Sequence, residues 1–328
     1  MLNLFIKYFM LMNLMLMSFF SLFINDLMNI WFLMEINNFL FICYLITYMK
    51  NKKMIFFYFL IQIIPSMLLI LSISINFINI MNKNIIIYLT YMGLLIKLGI
   101  PPFHLWMPIL SLYLYWDMLF FLLTIQKIIP FYMLSLTYIE KYLMLFILIS
   151  CSIIPPLVMF NLTNIKKLLT YSSINQTSWL MSLIYFKSIL WILYLTFYSL
   201  MMMIMFFILS AYKIYYNFLH LNYNLNMFLL IMTLNMASTP PFMFFIMKWF
   251  SIFIMINNSL NLFNIMILMT MSSFIMFFLY INMMYLNMYI NLIKSKLFYI
   301  KSSMKYFKLY QILMFFFITF FIPIIMII

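Results

Sequence analysis

Apolar runs of about 20 residues recur along the whole chain and are separated by short polar stretches. An α-helix of that length crosses the hydrocarbon core of a bilayer. The sequence shows none of the short segments of alternating hydrophobicity that are typical of a transmembrane β-barrel. The pattern therefore predicts an all-α polytopic membrane protein. About eleven spans are predicted, near residues 2–24, 27–49, 54–75, 85–107, 115–136, 142–161, 166–186, 189–211, 226–254, 260–285 and 310–328.

Short connections join these spans, so residues 1–328 are predicted to form a single transmembrane domain with a terminal helix at 310–328. Composition supports the same class, because 69% of the residues are hydrophobic, 7% are charged and the mean hydropathy is +1.17. A soluble domain carries roughly 25% charged residues. The composition therefore excludes a water-soluble globular protein.

Residue usage carries information about the encoding genome. Arginine is absent, there are two glycines and two alanines, and Met, Phe, Ile, Asn, Tyr and Lys are abundant. The depleted residues have G/C-rich codons and the enriched residues have A/T-rich codons. The 38 methionines indicate a code in which a second codon also specifies Met, as in many animal mitochondria. We interpret the chain as organelle-encoded and expect it in the mitochondrial inner membrane.

The eighteen lysines are distributed unequally between the two sides of the predicted bundle. Twelve lie on the side of the N-terminus, whereas Lys83, Lys141 and Lys187 lie on the other side. The positive-inside rule predicts the N-terminus in the matrix, and eleven crossings then put the C-terminus in the intermembrane space. The basic stretch 294–308 is interpreted as a connection against anionic lipid head groups, and a nucleic-acid patch is the weaker alternative.

Four ionisable residues fall at membrane depth: Glu35, Lys97, Lys127 and Lys248, in the second, fourth, fifth and ninth spans. Each costs about 2.5–3.5 kcal/mol at the bilayer centre on insertion scales. One interpretation is a chain of proton-relay groups that face the bundle interior, because an apolar site lets an amine lose and regain a proton near neutrality. The other is a set of structural ion pairs or lysines that snorkel to the interface. The four together favour the relay.

Other polar residues have several interpretations. Asp117 and Glu140 lie near span ends and are expected at the interface. His104 could pass protons at the mouth of a path, and ordinary capping or packing explains it equally well. Cys43 and Cys151 lie in separate apolar runs without metal-ligand spacing, and we expect them to be small apolar fillers.

The tripeptide Pro-Pro-Phe occurs twice, at 101–103 and at 240–242, each time inside an apolar span and near an intramembrane lysine. Proline inside a helix removes a hydrogen bond and displaces a carbonyl, which is tolerated at membrane depth only where protein or water satisfies the backbone. The fourth and ninth spans are thus predicted to be broken. The prolines at these breaks are Pro101, Pro102, Pro240 and Pro241.

The two broken spans are five crossings apart and run in opposite directions. This is the arrangement of an inverted-topology repeat, in which paired broken helices mark a transport site. The repeat units are predicted at approximately 1–136 and 142–285.

These residues resemble the antiporter-like subunits of the proton-pumping NADH:ubiquinone oxidoreductase, respiratory complex I. Residues 95–106 resemble the family's motif from lysine to Pro-Phe-His-x-Trp, and 34–37 resemble its glutamate helix. Residues 124–130 are similar to its Gln-Lys-x-x-Pro segment, 161–179 to its next signature, and 240–249 to its distal broken helix. The resemblance covers most of residues 30–255.

The resemblance implies a proton-translocating module of the membrane arm. Glu35 and Lys97 would form a modulating pair, Lys127 the central relay and Lys248 the distal relay. The chain departs from the family at the second break, where Ser238 and Thr239 stand in place of the usual glycine, and at position 101, where a small residue is usual.

The same resemblance implies that this chain binds no cofactor or metal. NADH, FMN, iron–sulfur clusters and ubiquinone are expected in partner subunits, since the sequence has no Gly-rich nucleotide loop and no cysteine cluster. The expected partners are neighbouring antiporter-like and small membrane-arm subunits and the lipid bilayer, with cardiolipin as one candidate lipid, and no nucleic acid. Two alternatives stay open: a free-standing cation/proton antiporter, and a purely structural filler of the membrane arm.

Overall fold

A computed structural model of the chain describes residues 2–78, 83–138, 140–211, 223–240, 242–258 and 263–297. Within these ranges the protein consists of thirteen α-helices, one 3-10 turn and short connections, with no strand. The all-α prediction is confirmed. The helices are α1 Leu2–Phe20, α2 Leu27–Tyr48, α3 Lys52–Ile78, α4 Lys83–Leu98, α5 Trp106–Tyr113, α6 Trp116–Leu123, α7 Ile125–Leu136, α8 Lys141–Met159, α9 Ile165–Tyr185, α10 Leu190–Ala211, α11 Tyr223–Met236, α12 Met243–Asn258 and α13 Phe263–Leu297.

Ten of the eleven predicted spans coincide with these helices. The fourth span consists of α4 and α5, with Pro101 and Pro102 in the break between them, and the ninth consists of α11 and α12, with Pro240 in the described part of their break. The fifth span consists of α6 and α7, which meet at Thr124 in an interruption that the sequence did not predict. The terminal helix 310–328 lies outside the described residues, and the count of eleven spans stays a prediction.

The break at Thr124 has a local cause. The Thr124 hydroxyl donates to the Phe120 carbonyl at 2.7 Å, and the Thr124 main-chain N–H donates to the same oxygen at 3.1 Å. A threonine that bonds back to the preceding turn competes with the helical hydrogen-bond ladder and bends the helix. Thr124 accordingly leaves the helical region, with φ −120° and ψ −72°.

The outer surface of the bundle is apolar. Large side chains such as Phe32, Phe146 and Phe274 are exposed on separate helices, which is the surface that a bilayer requires and water disfavours. Counting α6 and α7 as one, six helices in the described ranges are long and apolar enough to cross a membrane. These six are α2, α3, α6 with α7, α8, α10 and α13.

The helix α9 is the exception to this apolar pattern. It carries eight buried serine, threonine and amide side chains, and 19 of its 21 residues are buried. It packs against α5, α7, α8, α10, α12 and α13, so protein rather than lipid surrounds it. Its hydroxyls are satisfied by carbonyls one turn back, as in the Ser173 bond to Thr170 at 2.7 Å. A polar helix is therefore accommodated at the centre of the bundle.

Close packing of α3 against α4 fixes the position of the fourth span. A Cβ atom added at Gly93 would lie 2.8 Å from Leu69 Cγ and 3.1 Å from the Pro65 carbonyl oxygen. A glycine at this position therefore lets the two helices approach, and it sets the register of Lys97 one turn further along α4.

Candidate functional site

Glu35 and Lys97 form an ion pair inside the bundle. Lys97 Nζ, in the last turn of α4, donates to Glu35 Oε1 on α2 at 2.5 Å. Their side chains are 2% and 18% exposed, respectively. The structure thus brings together the two residues that the resemblance paired, although their role in transport stays a prediction.

The first break begins two residues after Lys97. Gly99 adopts a left-handed conformation with φ +64°, its N–H bonds the Ile96 carbonyl at 3.2 Å, and the Ile100 N–H bonds the Leu95 carbonyl at 3.0 Å. This is the hydrogen-bond pattern of a Schellman C-cap. Trp106 Nε1 then donates across the break to the Ile96 carbonyl at 3.2 Å, so α4 and α5 remain joined.

The helix therefore ends before the prolines rather than at them. Pro101 and Pro102 lie within the break, beyond the Gly99 turn. His104 also lies in this break, where it is buried and packs edge-on against the Tyr171 ring of α9 at 6.0 Å. The structure thus places His104 beside α9, and its predicted role at the mouth of a proton path stays untested.

The second break repeats the hydrogen bonds of the first within its described residues. Ser238 has φ +59° and bonds the Asn235 carbonyl at 2.9 Å through its N–H, and the Thr239 N–H bonds the Leu234 carbonyl at 3.3 Å. Ser238 therefore occupies the left-handed position that Gly99 occupies in the first break. The closing turns also match, since the N–H of each motif's phenylalanine bonds the carbonyl three residues earlier at 2.9 Å. Pro240 lies in this break, and Pro241 lies outside the described residues.

Lys248 lies on α12, beyond the second break. Its side chain points back towards the N-terminus of its helix, as helical side chains do, and Nζ donates to Ser238 Oγ at 2.8 Å. The amine also lies 5.3 Å from the centroid of the Trp179 ring on α9. Lys248 is only 6% exposed, so a hydroxyl and an aromatic face form its surroundings.

Lys127 lies in the first turn of α7, directly after the break at Thr124. Its Nζ donates to Ser173 Oγ on α9 at 3.3 Å, and the residue is 4% exposed. Cys151 on α8 is buried nearby and accepts a hydrogen bond from Thr177 at 3.6 Å, whereas Cys43 is exposed.

A narrow gap separates Lys97 from Lys127, and both side chains line it. Two amide nitrogens on its walls, Asn38 Nδ2 and Gln126 Nε2, are buried and make no hydrogen bond within the described residues. Buried polar groups of this kind are usually paired with protein or with ordered water. The other residues around the gap are Tyr58, Gln62, Trp106, Met107, Leu122 and Pro130.

The helix α9 connects the surroundings of Lys127 to those of Lys248. Ser173 contacts the first amine and Trp179 the second, and six residues of helix span about 9 Å. Gln176 lies between them: it donates to the Met236 carbonyl at the end of α11 at 3.2 Å and accepts from the Tyr194 hydroxyl. Ser173 and Gln176 thus present polar side chains between the two amines, and this polar part of α9 is called the interior seam.

Charge compensation differs among the three lysines. The chain has four acidic residues, and each lies in a described range. Two ion pairs occur within those ranges, Lys97 with Glu35 and Lys7 with Asp117 at 3.6 Å. Lys127 and Lys248 are therefore buried without a side-chain carboxylate within 4.0 Å.

Sequence reasoning missed two features of this region. Lys166, expected at the surface, is buried and donates to the Leu114 carbonyl at 2.6 Å, with Nζ 5.4 Å from the Trp116 ring. The role of α9 as a buried polar connection was also not assigned. The available signal was the run of polar residues at 170–178 inside a predicted span.

No metal centre is formed by three or more His, Cys, Asp or Glu side chains in the ranges that the structure describes. The expectation that the chain holds no metal or redox cofactor stays a prediction.

The bundle, its two matched breaks and the buried ionisable residues define the class, a polytopic membrane protein of antiporter-like architecture. A chain of respiratory complex I from Thermus thermophilus, solved with bound aureothin, superposes with a TM-score of 0.75 at 16% identity, covering 86% of this chain and 70% of that chain. A chain of the Mrp complex from Dietzia sp. DQ12-45-1b gives a TM-score of 0.69 at 12% identity, covering 79% and 56%. These similarities show the shared fold.

Sequence comparison identifies the family. No protein-family model matches the chain. The NADH-ubiquinone oxidoreductase chain 2 of Rhipicephalus sanguineus is 30% identical over 254 residues, 73% of this chain and 77% of that protein. The protein of the same name from Anopheles gambiae is 27% identical over 239 residues, 69% and 70% of the two chains. The chain belongs to the NADH-ubiquinone oxidoreductase chain 2 family, and the resemblance read from the motifs is confirmed.

Proposed function

We propose that this chain is a membrane-arm subunit of respiratory NADH:ubiquinone oxidoreductase in the mitochondrial inner membrane. It carries protons from the matrix to the intermembrane space along Glu35, Lys97, Lys127 and Lys248. The family membership supports the assembly, and the arrangement of the four side chains supports the route.

The observation that carries the proposal is the burial of three amines along one polar seam, of which only Lys97 has a carboxylate partner. A charged side chain at this depth costs about 2.5–3.5 kcal/mol, and neutral aliphatic residues would fill the same space at no such cost. Amines that take up and release protons give a reason for their presence. Hydroxyls, amides and an aromatic face surround Lys127 and Lys248 and suit both protonation states.

The ion pair provides a switch for the first transfer. While Lys97 contacts Glu35, the carboxylate stabilises the proton on the amine. Separation of the pair leaves a buried charge uncompensated, at a cost of about 3–5 kcal/mol, and this favours release of the proton towards Lys127 through the gap. A cost of about 4 kcal/mol equals the work of moving one charge against roughly 180 mV. The switch therefore has the magnitude that a proton pump needs.

The second transfer follows α9. Lys127 contacts Ser173 and Lys248 lies against Trp179, so a proton that leaves Lys127 reaches Lys248 along the polar side chains and any water that they hold. Lys248 contacts the second break through Ser238, and His104 lies in the first. The breaks are the proposed ends of the route.

The redox reaction belongs to partner subunits in this proposal. Electron transfer from NADH to ubiquinone, with FMN and iron–sulfur clusters, takes place in them, and this chain holds no cofactor or metal. Its partners are other membrane-arm subunits, antiporter-like and small, and inner-membrane lipid with cardiolipin as a candidate. The N-terminus lies in the matrix and the C-terminus in the intermembrane space.

Lys127→Ala and Lys248→Ala test the route. The complex that contains each variant is purified, reconstituted in liposomes and assayed for protons translocated per electron transferred. We expect both variants to lower this ratio, and Lys167→Ala, at a half-buried lysine in the first turn of α9, to leave it unchanged. A normal ratio in both pathway variants would remove the proposed route.

A second candidate is cation/proton antiport by the chain alone, which the structural similarity to the Mrp complex chain favours. Ion flux by the purified chain in liposomes would support that candidate, whereas instability without partner subunits supports the assembly. A purely structural role requires that all four charged residues can be neutralised without loss of pumping.

A further inference from the structure

Ser238 has a backbone conformation that favours glycine. Its φ of +59° lies in the left-handed region, where a Cβ atom is strained. The first break uses Gly99 at the matching position, and a Cβ atom there would lie 2.6 Å from Met107 Cε. The second break instead accommodates a side chain at this position. A strained residue of this kind calls for a compensating interaction.

The compensating interaction is a hydrogen bond to the pathway lysine. Lys248 Nζ donates to Ser238 Oγ at 2.8 Å, and Ser238 Oγ donates to the Ala237 carbonyl at 2.5 Å. The bond to Ala237 uses the hydroxyl hydrogen, so the oxygen presents its lone pairs to the amine. The hydroxyl is therefore oriented as an acceptor for Lys248.

The hydroxyl also fixes where the amine lies. The Lys248 side chain is long and flexible, but its amine contacts two described partners, the Ser238 oxygen and the Trp179 ring at 5.3 Å. The first belongs to the break and the second to the polar helix α9. Ser238 thus holds the amine between the interior seam of α9 and the second break.

We propose that Ser238 is a positioning residue for proton transfer at Lys248, holding the amine between Trp179 and the second break by accepting its hydrogen bond. The proposal rests on the proposed function of Lys248. It makes the two breaks functionally unequal: Gly99 serves the left-handed turn of the first break, whereas Ser238 is required for its hydroxyl oxygen.

Two substitutions separate the hydroxyl from the backbone. Ser238→Gly relieves the strain at positive φ and removes the acceptor. Ser238→Asn keeps a residue that tolerates the left-handed region and supplies an amide oxygen in its place. A role confined to the backbone predicts that glycine is as good as serine or better, whereas a positioning role predicts the opposite order.

The test uses the complex that contains this chain, reconstituted in liposomes, with NADH-driven proton translocation and NADH oxidation measured together. We expect Ser238→Gly to lower the translocation rate by about tenfold, the factor that corresponds to about 1.4 kcal/mol, and Ser238→Asn to retain most of it. Ser251→Ala is the matched control, because its buried hydroxyl bonds the Lys248 main-chain carbonyl rather than the amine.

Two outcomes overturn the proposal: full pumping in Ser238→Gly, or equal loss in the glycine and asparagine variants. Lys248→Ala is measured in the same series to separate the two proposals. Full pumping in Lys248→Ala contradicts the proposed function itself. Loss in Lys248→Ala together with full pumping in Ser238→Gly contradicts only the role of Ser238.

Discussion

Lys97 on α4 and Glu35 on α2 are 62 positions apart in the chain, and their charged atoms lie 2.5 Å apart inside the bundle. The lysine side chain is almost completely buried and the carboxylate retains a small exposed fraction. This asymmetry means that the carboxylate is the more accessible member of the pair. A substitution or movement of Glu35 should therefore change how strongly Lys97 holds its proton.

We expect Glu35→Gln to lower both the amount of assembled complex and its pumping. Removing one partner of a buried ion pair costs about 3–5 kcal/mol, because the remaining charge is left uncompensated. Assembly is measured by native gel electrophoresis and pumping in proteoliposomes. Asp117→Asn is the matched control, since Asp117 is 54% exposed in its pair with Lys7 and exposed pairs contribute about 0–1 kcal/mol. Equal effects of the two substitutions would contradict the prediction.

Ser173→Ala should slow proton translocation while the complex still assembles. The substitution removes the hydroxyl that Lys127 contacts at 3.3 Å, and a hydrogen bond to a charged group contributes about 1.5–3 kcal/mol. The measurement is the translocation rate at saturating NADH. Ser72→Ala on α3 serves as the control, because that buried hydroxyl bonds the Leu69 carbonyl of its own helix at 2.8 Å and lies outside α9. An unchanged rate in Ser173→Ala would show that Lys127 does not depend on this contact.

Gly99→Ala is expected to reduce assembly moderately, chiefly because alanine is strained at positive φ. The added methyl group would lie 2.6 Å from Met107 Cε at a residue with φ +64°, and the left-handed conformation alone costs roughly 1–2 kcal/mol for a residue with a Cβ atom. The double variant Gly99→Ala with Met107→Ala removes the contact and keeps the strain. We expect it to recover part of the assembled complex. Full assembly of the single variant would refute this account of the first break.

Lys166→Met should destabilise the junction of α5, α6 and α9. Its amine donates to the Leu114 carbonyl between α5 and α6, and loss of a bond from a buried charged donor costs about 1.5–3 kcal/mol. The measurement is the thermal stability of the purified complex. The adjacent Lys167→Met is the matched control, because Lys167 is only half-buried. If both variants lower the melting temperature equally, the Lys166 bond to the Leu114 carbonyl does not stabilise this junction.

The orientation of the chain can be tested with membrane-impermeant amine reagents. Lys52 and Lys53 are exposed at the start of α3. Lys141 is exposed at the start of α8, and Lys187 is exposed just after the end of α9. We expect Lys52 and Lys53 to react from the matrix side of inner-membrane vesicles, and Lys141 and Lys187 from the other side. Labelling in the reverse order would invert the proposed topology.

The sequence predicts the helices well because an apolar run of about 20 residues has few structural alternatives in a bilayer. It also identifies the broken spans from the repeated Pro-Pro-Phe step, although Pro-Pro alone does not decide the matter, since Pro155 and Pro156 lie inside the continuous helix α8. It did not predict the break at Thr124. A threonine inside an apolar run is compatible with a continuous helix, and only the backbone angles of Thr124 in the structure show the interruption.

The details of the site depend on contacts that no local pattern encodes. The left-handed turn at Gly99 is compatible with glycine's preferences, but serine at 238 would not suggest one. The hydrogen bond from Lys166 to Leu114 joins residues 52 positions apart. Lys127 and Lys248 likewise contact residues of a distant helix, and Lys248 also contacts a turn ten residues earlier. The sequence therefore identifies these lysines but not their surroundings.

The enclosure of α9 on all sides has a consequence for sequence divergence. Of the 21 residues of α9, 19 are buried against protein. A substitution there changes volume or polarity in a filled interior, whereas the outer faces of α1, α3 and α10 accept any apolar side chain. Selection should therefore oppose the bias towards residues with A/T-rich codons most strongly at this helix. Substitutions among relatives are expected to accumulate on the lipid-facing helices and to be scarcest between Ile165 and Tyr185.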